Sequence, residues 1–299
     1  MTTFTSDRPL TIDGVRLDTL AWNITKINRT VASHRASDVS VPGIDGVLPS
    51  YNDPLDAAQF GLEMFVMGTD SDGLVTGIGK RDQLRANLDE LLHLFGKRHA
   101  LILVDQLVDA TNHRQAWAKV TDVIAPDVNL PGSSGVFTVG LTLVYGVWED
   151  TATQDWSGTL GAASGTVQEV TTLQGATERS LDTIFLVTGP ANNPRITDQA
   201  TGAYVQLNQS LSAAQLWRVN MATWASRYGS GLTLGSADTT GTDGSATMVF
   251  GGTKNQAAYL PLVPIRDTGL RRVKVALSGS GGFTAATRLT ARTRRKFQT

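Results

Sequence analysis

Val136-Phe-Thr-Val-Gly-Leu-Thr-Leu-Val-Tyr-Gly-Val-Trp148 decides the class of this fold. Phe137, Val139, Leu141, Leu143 and Tyr145 fall on every second position, with Thr138, Gly140 and Thr142 between them. That period of two puts the apolar set on one face of a half-buried antiparallel strand spanning residues 136–148. Upstream, 117–124 alternates through Trp117, Lys119, Thr121 and Val123, 100–104 is a short apolar run, and 60–67 is a further strand entered from Asn52-Asp-Pro54. The turn-like Thr69-Asp-Ser-Asp-Gly73 closes that strand.

One segment breaks the pattern. Between Arg81 and Gly96, the residues Leu84, Leu88, Leu91, Leu92 and Phe95 repeat at helical spacing, and Gly96-Lys97-Arg98 is a C-terminal stop. This predicts a helix lying on a sheet with Arg81, Arg85 and Asp89 in water. Residues 1–150 therefore read as an α+β unit with one covering helix. Small, polar residues fill 151–165 and predict a linker. Beyond it, in 166–299, short strands are expected at 183–188, 203–207, 215–220, 247–250, 259–263, 272–277 and 286–293, with an exposed loop at 235–244, the pattern of a sandwich or jelly roll. The 37 threonines and 30 glycines of the 299 residues fit this mainly β reading.

Composition narrows the chemistry. There is no cysteine, which removes disulfides, thiolate nucleophiles and Cys-ligated metals. The net charge of −1 lacks the basic excess of a nucleic-acid or membrane-surface binder. It hides a split, because Arg271, Arg272, Lys274, Arg288, Arg292, Arg294, Arg295 and Lys296 face no acidic residue after Asp267, leaving the preceding 267 residues at −9. No run is long enough for a membrane-spanning helix, and the start lacks a signal-peptide pattern, so a soluble chain is expected.

Candidate catalytic and metal motifs are weak. His34, His93, His99 and His113 have no metal spacing, and none follows residue 113, so the second half has no Ser-His-Asp set. Gly132-Ser-Ser-Gly135 is one residue short of a nucleophile elbow and reads as a turn. Gly77-Ile-Gly79 lacks the third glycine or the Gly-Lys-Ser/Thr of a phosphate cradle, and Asp70-Ser-Asp-Gly73 lacks the closing glutamate of a calcium loop. Glu63, Glu90, Glu149, Glu169 and Glu178 are the only glutamates, and none has the setting of a glycosidase pair. No enzyme, cofactor or metal is expected. Among the aromatics Trp156, Tyr204, Trp217, Trp224 and Tyr228, the pair Trp217 and Trp224 are candidate glycan contacts, although alternation in 215–220 also places Trp217 and Val219 on the core face.

Several stretches resemble one family. Leu10-Thr-Ile-Asp-Gly14, Val41-Pro-Gly-Ile-Asp-Gly46, Lys97-Arg-His-Ala-Leu-Ile-Leu103 and Tyr145-Gly-Val-Trp148 are similar in order and spacing to the distal tail proteins, or minor tail proteins, of long non-contractile-tailed (siphovirus-type) bacteriophages. Ile184-Phe-Leu-Val-Thr-Gly-Pro-Ala-Asn-Asn-Pro-Arg-Ile-Thr197 with Thr201-Gly202 looks like the opening of that family's galectin-like sandwich. The resemblance implies a virion structural protein assembled in the host cytoplasm. Its first domain would form a homohexameric ring at the distal end of the tail, joining the tail tube to the tip or baseplate adsorption apparatus. DNA would pass through the lumen without specific binding, and the neighbours would be tail-tube, tape-measure and tail-tip hub proteins. Rival readings are a carbohydrate-binding adhesin module that recognises host-surface glycan, a glycan-degrading tip enzyme, and a tail-tube subunit with a decorating domain.

Overall fold

A computed structural model describes residues 10–30, 39–40, 47–48, 57–96, 101–107, 113–129, 131–161, 163–252 and 260–298. The segment Val41–Gly46, residues 97–100, His34 and His99 lie outside them. The chain is mainly β with a single α-helix and divides into two compact units, Met1–Thr151 with Gln298–Thr299, and Ala152–Phe297.

In the first unit the alternating sequences become neighbours in one antiparallel sheet. Its order is Val15–Arg16, Leu10–Ile12, Ile102–Leu107, His113–Asn129, Ser134–Leu143, Ala58–Met67, Trp22–Arg29. Phe137, Val139, Leu141 and Leu143 are buried, as are Phe60, Leu62, Met64 and Val66 on the neighbouring strand. The helix Lys80–Phe95 covers this face with Leu84, Leu88, Leu91, Leu94 and Phe95, and the rings of Phe95 and Phe137 meet at 5.7 Å. Each such buried side chain is worth roughly 1.5–3 kcal/mol, so the helix is held by packing more than by its own propensity.

Three expectations shift here. Tyr145 is 66% exposed, because the strand ends at Leu143 and the chain turns at Gly146, whose φ is 66°. Leu92 faces out and Leu94 faces in, since the buried stripe is rotated toward Asn87. The expected 117–124 strand is part of a 17-residue strand, His113–Asn129, that absorbs Pro126 through register shifts at Val120/Asp122 and Ile124/Asp127.

The second unit is a two-sheet sandwich. One sheet runs Gln154–Ser157, Arg288–Thr293, Ile184–Thr188, Leu216–Asn220, Ala225–Gly229, Thr242–Asp243; the other runs Val167–Glu169, Lys274–Ser278, Arg195–Asp198, Tyr204–Leu207, Met248–Gly251. Trp156, Phe185, Trp217, Val219 and Leu289 from the first meet Ile196, Val205, Val275 and Leu277 from the second in one core. The expected linker at 151–165 is corrected, because Gln154–Ser157 is an edge strand paired with Arg288–Thr293. Trp156, the one aromatic side chain in that small and polar stretch, anchors it in the core at 6% exposure. At the expected 259–263 strand, Leu262 makes only an isolated bridge to Ser180.

The split charge resolves inside this unit. Arg292 holds Asp155 through two bonds of 2.7 and 2.9 Å, Arg272 holds Glu169 at 2.7 Å, Lys274 holds Asp267 at 2.5 Å and Lys296 holds Asp182 at 2.8 Å. Four of the eight basic residues of the terminal segment are thus paired with acids of their own unit.

Candidate functional site

Among the described residues, the sheet of the first unit has a short edge at Val15–Arg16 and two long edges without a partner. Within His113–Asn129, residues 113–118 pair with Ile102–Leu107, but 119–129 pair only with Ser134–Leu143, on one side. At the far end of the sheet, Trp22–Arg29 pairs only with Ala58–Met67. Two strands, Ser134–Leu143 and Ala58–Met67, lie between the two edges and every pairing is antiparallel, so the edge strands run in opposite directions. Unpaired backbone N–H and C=O groups along such edges are templates for another strand.

Beside one end of these strands stands a rigid apolar loop. Leu74, Val75 and Ile78 are 51–61% exposed. Asp70 Oδ1 accepts from the N–H groups of Asp72 and Leu74, at 3.0 and 2.8 Å, which makes the expected turn. The Thr76 hydroxyl donates to Gln83, Gln83 donates to Asn87, and Asn87 Nδ2 donates to the carbonyls of Met67 and Thr69 at 2.7 and 2.8 Å. This relay clamps the loop to the helix and the strand end. The periodicity missed it because Asn87 is a polar residue inside the buried stripe.

On the second unit, the outer face of the six-stranded sheet is polar yet buried. Arg218 is 3% exposed, and its Nη1 donates to Asp238 at 2.6 Å. Asp238 also accepts from Asn220 Nδ2 and from the Thr223 hydroxyl, and its backbone carbonyl accepts from Arg227 Nε. Burial pushes the Asp238 carboxyl up, but the bonds from Thr223, Arg218 and Asn220 and the Arg218 charge outweigh it and hold the group below its ordinary value. The expected loop at 235–244 is largely exposed, but Thr242–Asp243 within it pairs with Ala225–Gly229 as an edge strand, and the Asp238 carboxylate ties the middle of the segment to the sheet. Next to it lies an open groove of about 450 Å³ between Leu232–Gly235 and the strands carrying Asp155, Leu186, Thr290 and Arg292.

The two tryptophans singled out as glycan contacts part company. Trp217 is fully buried and its Nε1 donates to Ser226 Oγ at 2.9 Å, so it offers no face to a ligand and is corrected to a core residue. Trp224 is 44% exposed, with its ring 5.7 Å from that of Phe250. Asp198 is a buried carboxyl that the sequence reading passed over. Desolvation raises it to about 6, against the opposing bonds from the Thr201 hydroxyl and the backbone N–H groups of Thr201, Val263 and Ala200. His93 is exposed on the helix and His113 lies 3.6 Å from Asp105. Among the described residues, no three His, Asp or Glu side chains converge as a metal site, and no helix is long and apolar enough to cross a membrane.

A similar fold occurs in a solved structure. The crystal structure of the Dit (gp 19.1) protein of phage SPP1, described as a paradigm of the hub adsorption apparatus in phages infecting Gram-positive bacteria, aligns with 98% of this chain and 100% of its own. The TM-score is 0.59 and the sequence identity 14%. The fold is that of a phage hub protein. Both units are included in the match, and it is the fold that the resemblance to distal tail proteins implies. Two structures of the phage p2 baseplate in its activated conformation, with strontium and with calcium, align over 97% and 96% of the chain at TM-scores of 0.37 and 0.38 and 6% identity. No family model and no characterised relative matches the sequence.

Proposed function

We propose that this chain is a structural protein of the virion, a distal tail protein whose first unit closes into a hexameric ring at the tail tip. The ring joins the tail tube to the adsorption apparatus and lets DNA pass without specific binding. The observation that carries this reading is the pair of open edges. Because residues 119–129 and Trp22–Arg29 run in opposite directions at the two sides of the sheet, the second edge of one copy pairs antiparallel with the first edge of the next. Such a contact is heterologous, and repeated around an axis it closes a ring that covers both long edges. The full-length fold match to a phage hub protein supports the role, and the family resemblance supplies the number six. Leu74, Val75 and Ile78, held rigid at one end of the strands, suit contact with the next protein along the tail.

The test is the mass and shape of the purified protein, alone and with its tail-tube partner. A ring has about six times the 31.9 kDa of the chain and shows a central channel by negative-stain microscopy. Particles that stay monomeric under both conditions, or that grow into open tubes, overturn the proposal. Ile24→Pro, placed in the Trp22–Arg29 edge, is expected to abolish the ring, since proline removes a ladder donor. The unfolding transition of the second unit should be unaffected.

A further inference from the structure

Trp224 occupies a turn position where a bulky residue is out of place. Its φ of 64° is left-handed, a conformation that glycine adopts freely and that strains a residue with a Cβ. The turn is tied at every point. The Trp224 N–H donates to the Asn220 carbonyl at 2.8 Å and the Ala222 N–H to Asn220 Oδ1 at 3.0 Å, while Asn220 and Thr223 both donate to Asp238. The result is an indole held 44% exposed, with Phe250 behind it at a centroid distance of 5.7 Å and a tilt of 52°. Backbone strain kept in place by surrounding bonds is concentrated where a side chain has work to do.

We propose that Trp224, backed by Phe250, is the stacking platform of a saccharide site. The size of the patch selects the ligand. A specific protein partner needs about 800 Å² on each side, whereas the exposed apolar group here is one indole, which one pyranose ring covers. An indole face accepts the C–H face of a sugar, and a sugar keeps its hydroxyls in water at the rim. The Thr223 hydroxyl gives its proton to Asp238 and so presents lone pairs to a sugar hydroxyl. Asp238 already receives Arg218, Asn220 and Thr223, which leaves the site few polar contacts. A single copy therefore binds on the order of millimolar. The site itself is independent of ring formation; in the proposed ring, six copies convert weak binding into avidity.

The experiment uses the full chain on a microarray of bacterial cell-surface and storage oligosaccharides. Saturation-transfer NMR then examines the strongest oligosaccharide found. Wild type is expected to bind, Trp224→Ala to lose at least ten-fold in signal, and Trp224→Phe to retain part of it. Circular dichroism and particle mass on the same variants keep folding and assembly as separate readouts, so failure of the ring leaves the sugar result legible. A wild-type array without a bound glycan, or equal binding by the Trp224→Ala variant, overturns the proposal.

Discussion

Replacing Asp238 with alanine removes every side-chain bond that holds the 235–244 loop on the sheet through this residue. It also leaves the Arg218 guanidinium, 3% exposed, without its anion. Arg218 Nε already has no hydrogen-bond partner, so the cation depends on the Nη1 contact of 2.6 Å. Breaking a buried pair from one side costs about 3–5 kcal/mol because an uncompensated charge remains. The Asp238 side chain is 31% exposed, so water reaches the gap and the low end applies, about 3 kcal/mol. At roughly 2–4 °C per kcal/mol for a unit of this size, the melting transition of the second unit falls by about 6–12 °C. Differential scanning calorimetry at pH 7 reads this directly. The double variant Arg218→Leu, Asp238→Ala removes the stranded cation and should recover much of the loss. Because the folded carboxyl sits below its ordinary value, its contribution is present above about pH 3.9 and is lost as pH falls through the folded value. Wild type and variant should therefore converge in acid. A shift under about 2 °C at pH 7, or a double variant no more stable than the single one, refutes the account.

Asp198 has the opposite pH signature: its folded value of about 6 lies above the unfolded one, so the stability it confers is complete below about pH 3.9 and is lost as pH rises toward 6, about 3 kcal/mol in all. Asp198→Asn should flatten the pH profile of the second unit between pH 4 and 6, as read by urea denaturation. Asn87→Ala strips the Met67 and Thr69 carbonyls of their donor and should cost the first unit about 2–3 kcal/mol, measured in the same way. Asp155→Ala breaks a two-bond pair with Arg292, but both side chains are at least a third exposed, so the loss should stay within about 1 kcal/mol.

Much of the fold was legible because burial on one face imposes a period. The set Phe137, Val139, Leu141, Leu143 could only face a core, and the Leu84–Phe95 stripe could only cover it. The core placement of Trp217 was equally legible, since Val219 two residues on shares its face. What escaped were places where polar residues are buried or a single side chain does the anchoring. Asn87 rotates the helix stripe because it serves carbonyls, which hydrophobicity does not register. Trp156 turns a polar stretch into a strand, and Asp238 fixes a loop whose composition reads as free. Tyr145 was misplaced because alternation continues past the point where Gly146 turns the chain. The open edges were invisible for a different reason: a missing neighbour is a property of strand order, which no local pattern encodes.

The interruptions in the 119–129 strand bear on what can pair with its bare side. A long bare edge attracts any extended chain, yet this strand contains Pro126 and its ladder to Ser134–Leu143 is broken by two register shifts, which bend and twist it locally. A uniform strand laid along it leaves backbone groups unmet. The Trp22–Arg29 strand carries an irregularity of its own between Ile24 and Lys26. Both long edges thus belong to strands with irregular ladders, which works against a uniform foreign strand laying itself along them.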